Sequence, residues 1–208
     1  MSDWYEIAIW LQNRGQVNPF IDPGNESWWD PTWFIDIPEN SSYGVFIFTF
    51  RGCLPARDCP EFLSAAWLLD AQAGIQAAAG LEGIDPGRLA AIGSSIGADG
   101  APDACAWINQ QTPGSCRGAL SLSPGHHLTV PYPAAVQWLG EVQPPVPAWC
   151  LADEREYYAC EMAEASGNPE YKDFLIPGGL HGNQLLRPGL DPLPMQIILD
   201  FLELTLAQ

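Results

Sequence analysis

The sequence predicts an α/β protein in which a mostly parallel central sheet carries helices on both faces. Two observations support this. Apolar segments of strand length alternate with longer helical segments along most of the chain. A glycine-rich turn at 93–97 separates one such strand from the helix that follows it. The 208 residues suit a single domain, predicted over 1–208, with 16–44 as a loop-rich insertion.

The first part of the chain has few regular elements. Residues 2–15 space their apolar side chains as a helix does. The Pro-, Gly- and Asn-rich stretch 16–44 reads as loop, with TWFIDI at 32–37 as a short candidate strand. GVFIFTFRG at 44–52 is apolar at nearly every position, which predicts a strand buried on both faces. A long helix is predicted over 60–80. Its expected buried stripe comprises Phe62, Ala65, Leu69 and Ile75.

In the rest of the chain, predicted strands and helices alternate one by one. Each apolar strand is followed by a turn and then by a helical segment, as a parallel sheet requires. The predicted strands lie at 88–92, 116–125, 146–152 and 171–178, and the predicted helices at 97–110, 133–142, 156–167 and 192–207.

The charge balance excludes several classes of partner. Eight Lys and Arg stand against 25 Asp and Glu, a net charge of -17, so the clustered cations of a nucleic-acid-binding protein are missing. The same charge disfavours polyanionic substrates and anionic membrane surfaces. No apolar run reaches the roughly 18–20 residues of a transmembrane helix, so no transmembrane segment is predicted.

The six cysteines follow one another as three closely spaced pairs. Fifteen connectivities are possible, and the short spacings favour local pairing. The even count and the acidity favour an oxidising compartment, and hence a secreted or cell-envelope protein whose signal peptide was lost with a mis-assigned start. Free thiols in a cytoplasmic protein remain the alternative. The favoured pairs are Cys53 with Cys59, Cys105 with Cys116, and Cys150 with Cys160.

A candidate nucleophile lies at the glycine-rich turn. Residues 93–97 read Gly-Ser-Ser-Ile-Gly and match G-x-S-x-G, with Ser95 at the centre. Because the motif follows a predicted strand and precedes a predicted helix, the turn would strain the Ser95 backbone and expose its hydroxyl. The backbone N–H of Ile96, at the start of that helix, would face an oxyanion formed there.

A serine nucleophile needs a base, and the base needs an acid to orient it. His181 lies among glycines after the last predicted strand and is the candidate base, because it comes last in the chain order Ser, acid, His. His126 and His127 are the less favoured alternatives for the base and are expected instead to line the pocket or to lie on the surface. The acid should follow the strand at 146–152, where several carboxylates occur.

Together these segments resemble the dienelactone-hydrolase and carboxylesterase-like branch of the α/β-hydrolases. The resemblance covers nearly the whole chain and rests on GVFIFTFRG, DPGRLAAIGSSIGA, ALSLSPG, PVPAWCLADERE and IPGGLHGNQLL. It implies an α/β-hydrolase fold with Ser95 as nucleophile and His181 as base. Laid on the acid strand of that branch, the chain has Glu156 at the acid position and Asp153 at the position of a small residue. Glu156 is therefore the expected acid, and Asp153 the alternative.

The chain departs from this branch at its beginning. The family starts with three strands and an H-G-x-G-type loop, which donates the second oxyanion N–H. Here the sequence opens directly on the predicted helix at 2–15. The fold is therefore expected to be N-terminally incomplete, and only the Ile96 N–H can be assigned to the oxyanion.

The resemblance implies a serine hydrolase that cleaves a small-molecule carboxylic ester through an acyl-enzyme. The incomplete beginning keeps open a second hypothesis, a non-catalytic or truncated hydrolase-fold protein with a binding or surface role. A third, carbohydrate binding, rests on Trp28, Trp29 and Trp33. No metal or organic cofactor is expected, since the histidines and cysteines lack ligand spacing. The sequence leaves the oligomeric state open.

Overall fold

A computed structural model describes residues 2–13, 34–53, 59 and 62–206. The chain divides into two compact units, Met1–Thr49 and Phe50–Gln208. Trp28, Trp29 and Trp33, on which the carbohydrate-binding hypothesis rests, lie outside the described residues.

The first unit is built on helix α1, Ser2–Gln12. Its apolar side chains Ile7, Trp10 and Leu11 are buried, which confirms the predicted amphipathic helix. Residues 34–43 lie against it: the Trp10 indole donates a hydrogen bond to the Ile35 carbonyl at 2.7 Å. The candidate strand at 32–37 is wrong over its described part, because residues 34–37 are not assigned to any strand.

The strand predicted at 44–52 is also wrong. These residues have no strand assignment, and exposure alternates from residue 41 to residue 49 with no side chain fully buried. Phe46 and Phe48 are 41% and 38% exposed, with ring centroids 6.4 Å apart. Alternation with a period of two is that of an extended chain. The segment therefore has the side-chain alternation of a strand but is not assigned to a strand.

The second unit contains a four-stranded parallel sheet with the order β1-β2-β3-β4. Each strand is followed by a helix or helical turn, so the chain is an α/β protein, as predicted. The strands are β1 Leu89–Ser94, β2 Cys116–Leu122, β3 Ala148–Ala152 and β4 Tyr171–Leu175. The helices are α2 Ser64–Ala79, α3 Ile96–Gln111, α4 Tyr132–Glu141, α5 Tyr158–Glu164, a 3-10 helix Gly182–Leu186, and α6 Pro194–Leu206.

The two faces of the sheet carry different side chains. On one face small residues such as Ala119 and Cys150 share a buried cluster with residues of α2 to α5. On the other face Trp149 packs against Phe201 of α6, with ring centroids 5.5 Å apart. A Cβ on Gly118 would lie 2.8 Å from the Phe201 ring, so α6 approaches this face closely. Helices therefore cover both faces, as the sequence predicts.

Helix α2 is present, but its predicted buried stripe is wrong except at Ile75. Phe62 precedes the helix and is 65% exposed, and Leu69 is 57% exposed. Small residues occupy the contact with α3 instead: a Cβ on Gly100 would lie 3.2 Å from the Ala71 Cβ. Close helix packing selects small side chains, whereas the sequence pattern draws attention to large ones. The buried residues are Trp67, Ala71, Gly74 and Ile75.

All six cysteines form the three locally paired disulfides that the spacing favours. The Cα atoms of the pairs are 4.3, 5.3 and 5.6 Å apart, within or close to the usual range. Cys105–Cys116 joins α3 to β2, and Cys150–Cys160 joins β3 to α5. The latter pair encloses the segment that carries the candidate acids. Within the described ranges, no helix combines the length and apolarity needed to cross a membrane.

Candidate active site

Ser95 lies in a sharp turn between β1 and α3, at the carboxyl edge of the sheet. Its backbone angles are φ 55° and ψ -118°. A positive φ is unfavourable for a residue with a side chain, so the surrounding structure must hold this conformation. The Ser95 N–H donates to the Leu122 carbonyl of β2 at 2.9 Å, which anchors the turn to the next strand. This is the strained strand-to-helix geometry predicted for Ser95.

The two glycines of the motif have different roles. A Cβ on Gly93 would lie 1.9 Å from the Gly97 carbonyl oxygen and 2.2 Å from the Gly97 carbonyl carbon. A Cβ on Gly97 would have Phe50 as its nearest neighbour, at 3.8 Å. The strand and the helix can therefore approach each other only when residue 93 has no side chain.

We expect Gly93→Ala to lower the free energy of unfolding by about 3 kcal/mol or more, because the added methyl group meets backbone atoms that cannot rotate away. Gly97→Ala is the matched control, and we expect its change to stay below about 1 kcal/mol. Urea denaturation of both variants with intact disulfides measures the difference. Equal stability of the two variants would contradict this account of the turn.

His181 and Glu156 form a hydrogen-bonded pair at the same edge of the sheet. The His181 Nδ1 atom lies 2.8 and 3.0 Å from the two carboxylate oxygens of Glu156. Glu156 follows β3, and His181 follows β4 and directly precedes the 3-10 helix. A carboxylate on Nδ1 fixes the ring orientation and leaves Nε2 as the proton acceptor. The pair is accessible, since the side chains of His181 and Glu156 are 50% and 33% exposed.

Asp153, the alternative acid, has a different partner. Its Oδ1 accepts hydrogen bonds from the Arg155 Nε at 2.7 Å and from the Arg155 backbone N–H at 3.0 Å. The hydrogen bond from the Arg155 side chain is the main cause that lowers the pKa of Asp153 below its ordinary value. Of these two carboxylates, Glu156 contacts His181 and Asp153 pairs with Arg155.

The His181 loop packs beside the serine turn. The Gly182 N–H donates to the Ser123 hydroxyl at 2.9 Å. A Cβ on Gly182 would lie 3.5 Å from the Cβ of Ser94, the residue directly before Ser95. Gly182 has φ +59°, a conformation that glycine adopts without strain. The histidine loop is thus held next to the candidate nucleophile by a contact with Ser123, a residue that sequence reasoning did not single out.

Asp99 is a second residue that sequence reasoning missed. It lies in the first turn of α3, is 2% exposed, and accepts the backbone N–H groups of Gly125 and His127 at 2.8 and 2.7 Å. A carboxylate in the first turn of a helix is favoured by the helix dipole. The signal available in the sequence was an acid four residues after Ser95, in a helix otherwise rich in small residues.

His127 is half-buried and His126 is exposed. Burial is the largest cause that lowers the pKa of His127, and the neighbouring His181 and His126 act in the same direction. The carboxylates of Asp99 and Glu156 oppose this shift. These interactions place the His127 ring within electrostatic reach of the pair formed by His181 and Glu156.

The backbone N–H of Ile96 begins helix α3. The first N–H groups of a helix have no carbonyl acceptor one turn earlier, so they suit an anionic oxygen. This is the position from which the predicted oxyanion donor would act.

The described residues contain no group of three or more His, Cys, Asp or Glu side chains suited to a metal ion. Compared with protein families, with curated proteins and with solved structures, the chain matches none of them. The functional interpretation therefore depends on the chemistry of the residues at the carboxyl edge of the sheet.

Proposed function

We propose that the protein is a serine hydrolase of the α/β-hydrolase type that cleaves small carboxylic esters. The observation that carries the proposal is a strained Ser95 at a strand-to-helix turn, on the same sheet edge as a hydrogen-bonded His181–Glu156 pair. Strain at a non-glycine residue persists where the surrounding structure imposes it, and such residues concentrate at functional sites. Ser95, Glu156 and His181 also occur along the chain in the order nucleophile, acid, base, which is the order of this enzyme type.

In the proposed reaction the Ser95 Oγ attacks the ester carbonyl carbon while His181 Nε2 accepts the hydroxyl proton. The C–O bond to the alcohol then breaks, and the alcohol leaves with that proton. Water attacks the acyl-enzyme by the same route and releases the acid and free Ser95. Glu156 stabilises the imidazolium that forms in each step, because its carboxylate accepts the hydrogen bond from Nδ1.

The Ile96 N–H supports the negative charge on the carbonyl oxygen. A single oxyanion donor contributes about 100- to 1,000-fold to the rate. The N-terminus of α3 adds a favourable dipole at the same point. No metal or organic cofactor enters this mechanism.

The experiment that tests the proposal is labelling with a fluorophosphonate, which phosphonylates an activated serine. We expect one adduct per chain, and peptide mapping by mass spectrometry should locate it on Ser95. Protein unfolded in urea provides the control, since an unactivated serine reacts slowly. A folded protein that does not label would favour the non-catalytic binding or surface protein instead.

We further propose a secreted or cell-envelope location. The three disulfides support it, since such bonds persist in oxidising compartments and are rare in the cytosol.

A further inference from the structure

Two pairs of rings lie near the carboxyl edge of the sheet. The ring centroids of Phe62 and His127 are 6.0 Å apart, and those of His126 and Tyr158 are 5.9 Å apart. The two histidines are consecutive in the chain, and we call these four residues together the aromatic row. Its outer members are exposed, Phe62 at 65% and Tyr158 at 47%. Each of these exposed aromatic side chains adjoins a histidine ring, and exposed apolar surface of this kind points to a ligand.

The aromatic row passes beside the proposed catalytic residues. His127 interacts electrostatically with both His181 and Glu156. Tyr158 opens helix α5, two residues after Glu156. When the reacting carbonyl of a substrate lies at Ser95, the groups next to that carbonyl would therefore contact these rings.

The rings are held in place before any ligand arrives. Phe62 packs edge-on against the buried Trp67, with centroids 5.2 Å apart and planes at 68°. Asp99 fixes the backbone of His127. The His127 ring lies over Gly125, where an added Cβ would be 2.9 Å from the His127 Nε2. Such preorganisation lowers the entropy cost of binding.

We infer that the aromatic row binds an uncharged aromatic group of the ester substrate. This inference rests on the proposed function and names its substrate class. Aromatic side chains favour offset-stacked or edge-to-face contacts with another ring over contact with an aliphatic group of equal size. The net charge of -17 and the two carboxylates, Glu154 and Glu156, in the adjoining loop disfavour an anionic group. An uncharged group also avoids the cost of removing an ion from water.

Burial is the largest cause that lowers the pKa of His127, and a lowered pKa favours the uncharged imidazole. Among the described residues, neither ring nitrogen of His127 has a hydrogen-bond partner. A neutral imidazole can stack on an aromatic group without the hydration that a charged ring would keep.

The test compares two ester pairs that differ only in aromaticity: methyl benzoate with methyl cyclohexanecarboxylate, and benzyl acetate with cyclohexylmethyl acetate. We expect the wild type to have the higher kcat/KM for the aromatic member of at least one pair. Phe62→Leu and Tyr158→Leu should each reduce that ratio about 2- to 10-fold. Gly125→Ala should reduce it as well, since the added methyl group would lie 2.9 Å from the His127 Nε2 and would force the ring out of its position.

Trp138→Leu is the matched control, because Trp138 is a partly exposed aromatic residue on α4 outside the row. It should leave the ratio unchanged. Labelling by a small alkyl fluorophosphonate distinguishes failure of the aromatic-binding inference from failure of the proposed hydrolase function. If the wild type labels at Ser95 but shows no aromatic preference, or keeps its preference in every row variant, the inference fails while the hydrolase stands. If the wild type neither labels nor hydrolyses any of the esters, both are overturned.

Discussion

Ser95→Ala is expected to lower kcat/KM for ester hydrolysis by about 10⁶-fold and to abolish fluorophosphonate labelling. The variant loses the hydroxyl oxygen that forms the acyl bond in the proposed mechanism. Stability should change by less than about 0.5 kcal/mol, because alanine keeps the Cβ and the change removes only a hydroxyl. Initial rates with a chromogenic ester and thermal denaturation measure the two effects.

Ser94→Ala is the matched control for this substitution. Ser94 is the neighbouring serine of the same turn, and its Cβ, which faces Gly182, remains in the variant. We expect it to retain at least a tenth of the wild-type rate. If Ser95→Ala keeps more than a hundredth of the rate, or if Ser94→Ala loses as much as Ser95→Ala, then Ser95 is not the nucleophile.

Glu156→Gln is expected to reduce kcat by about 10³- to 10⁴-fold with little change in KM. The amide has nearly the same shape but no charge, so it cannot stabilise the imidazolium that His181 becomes in the transition state. It also permits the wrong tautomer of His181, because an amide can donate to Nδ1 as well as accept from it. The rates should be measured at saturating ester so that binding and chemistry are separated.

The comparison with Asp153→Asn decides between the two candidate acids. Asp153 is paired with Arg155 rather than with His181, so this variant should lose less than about 10-fold in kcat. The substitution should mainly affect the conformation of the loop that follows β3. A larger loss for Asp153→Asn than for Glu156→Gln would assign the acid role to Asp153.

The α/β class was predictable because the chain repeats strand and helix patterns with short connections from Leu89 onward. The serine turn was predictable for a related reason: a G-x-S-x-G pattern between a strand and a helix has few conformations open to it. The motif alone does not distinguish the role of Gly93 from that of Gly97. Only the structure shows that Gly93 is the sterically critical one.

Two errors share a physical cause. The stretch 44–52 was expected to be a buried strand because it is apolar, but a strand also needs a partner, and local composition does not provide one. In the helix predicted over 60–80 the large side chains Phe62 and Leu69 were expected in the core, yet the small residues Ala71 and Gly100 lie at the close contact between α2 and α3. The burial of a side chain depends on how closely the neighbouring element approaches. The sequence of one segment does not determine that distance.

The parts of the site that the sequence did not predict are contacts between distant segments. Asp99 holds the backbone at Gly125 and His127, and Ser123 holds the loop at Gly182. Each contact joins residues at least 26 positions apart, so no local pattern reveals it. The spacing of the acid strand in the family that the sequence resembles favoured Glu156 over Asp153 as the acid. In the structure Glu156 is the one of the two that contacts His181.

The local pairing of the cysteines has a consequence for how the protein is made. The partners are 6, 11 and 10 residues apart in the chain, and no pair overlaps another. If the nascent chain enters an oxidising compartment, as proposed, both thiols of a pair emerge within a few residues of each other and before the next pair does. At each stage the nearest available thiol is the native partner, since short loops close more readily than long ones. The native connectivity can therefore form in order of synthesis, without a finished sheet to direct it and without later exchange between wrong pairs.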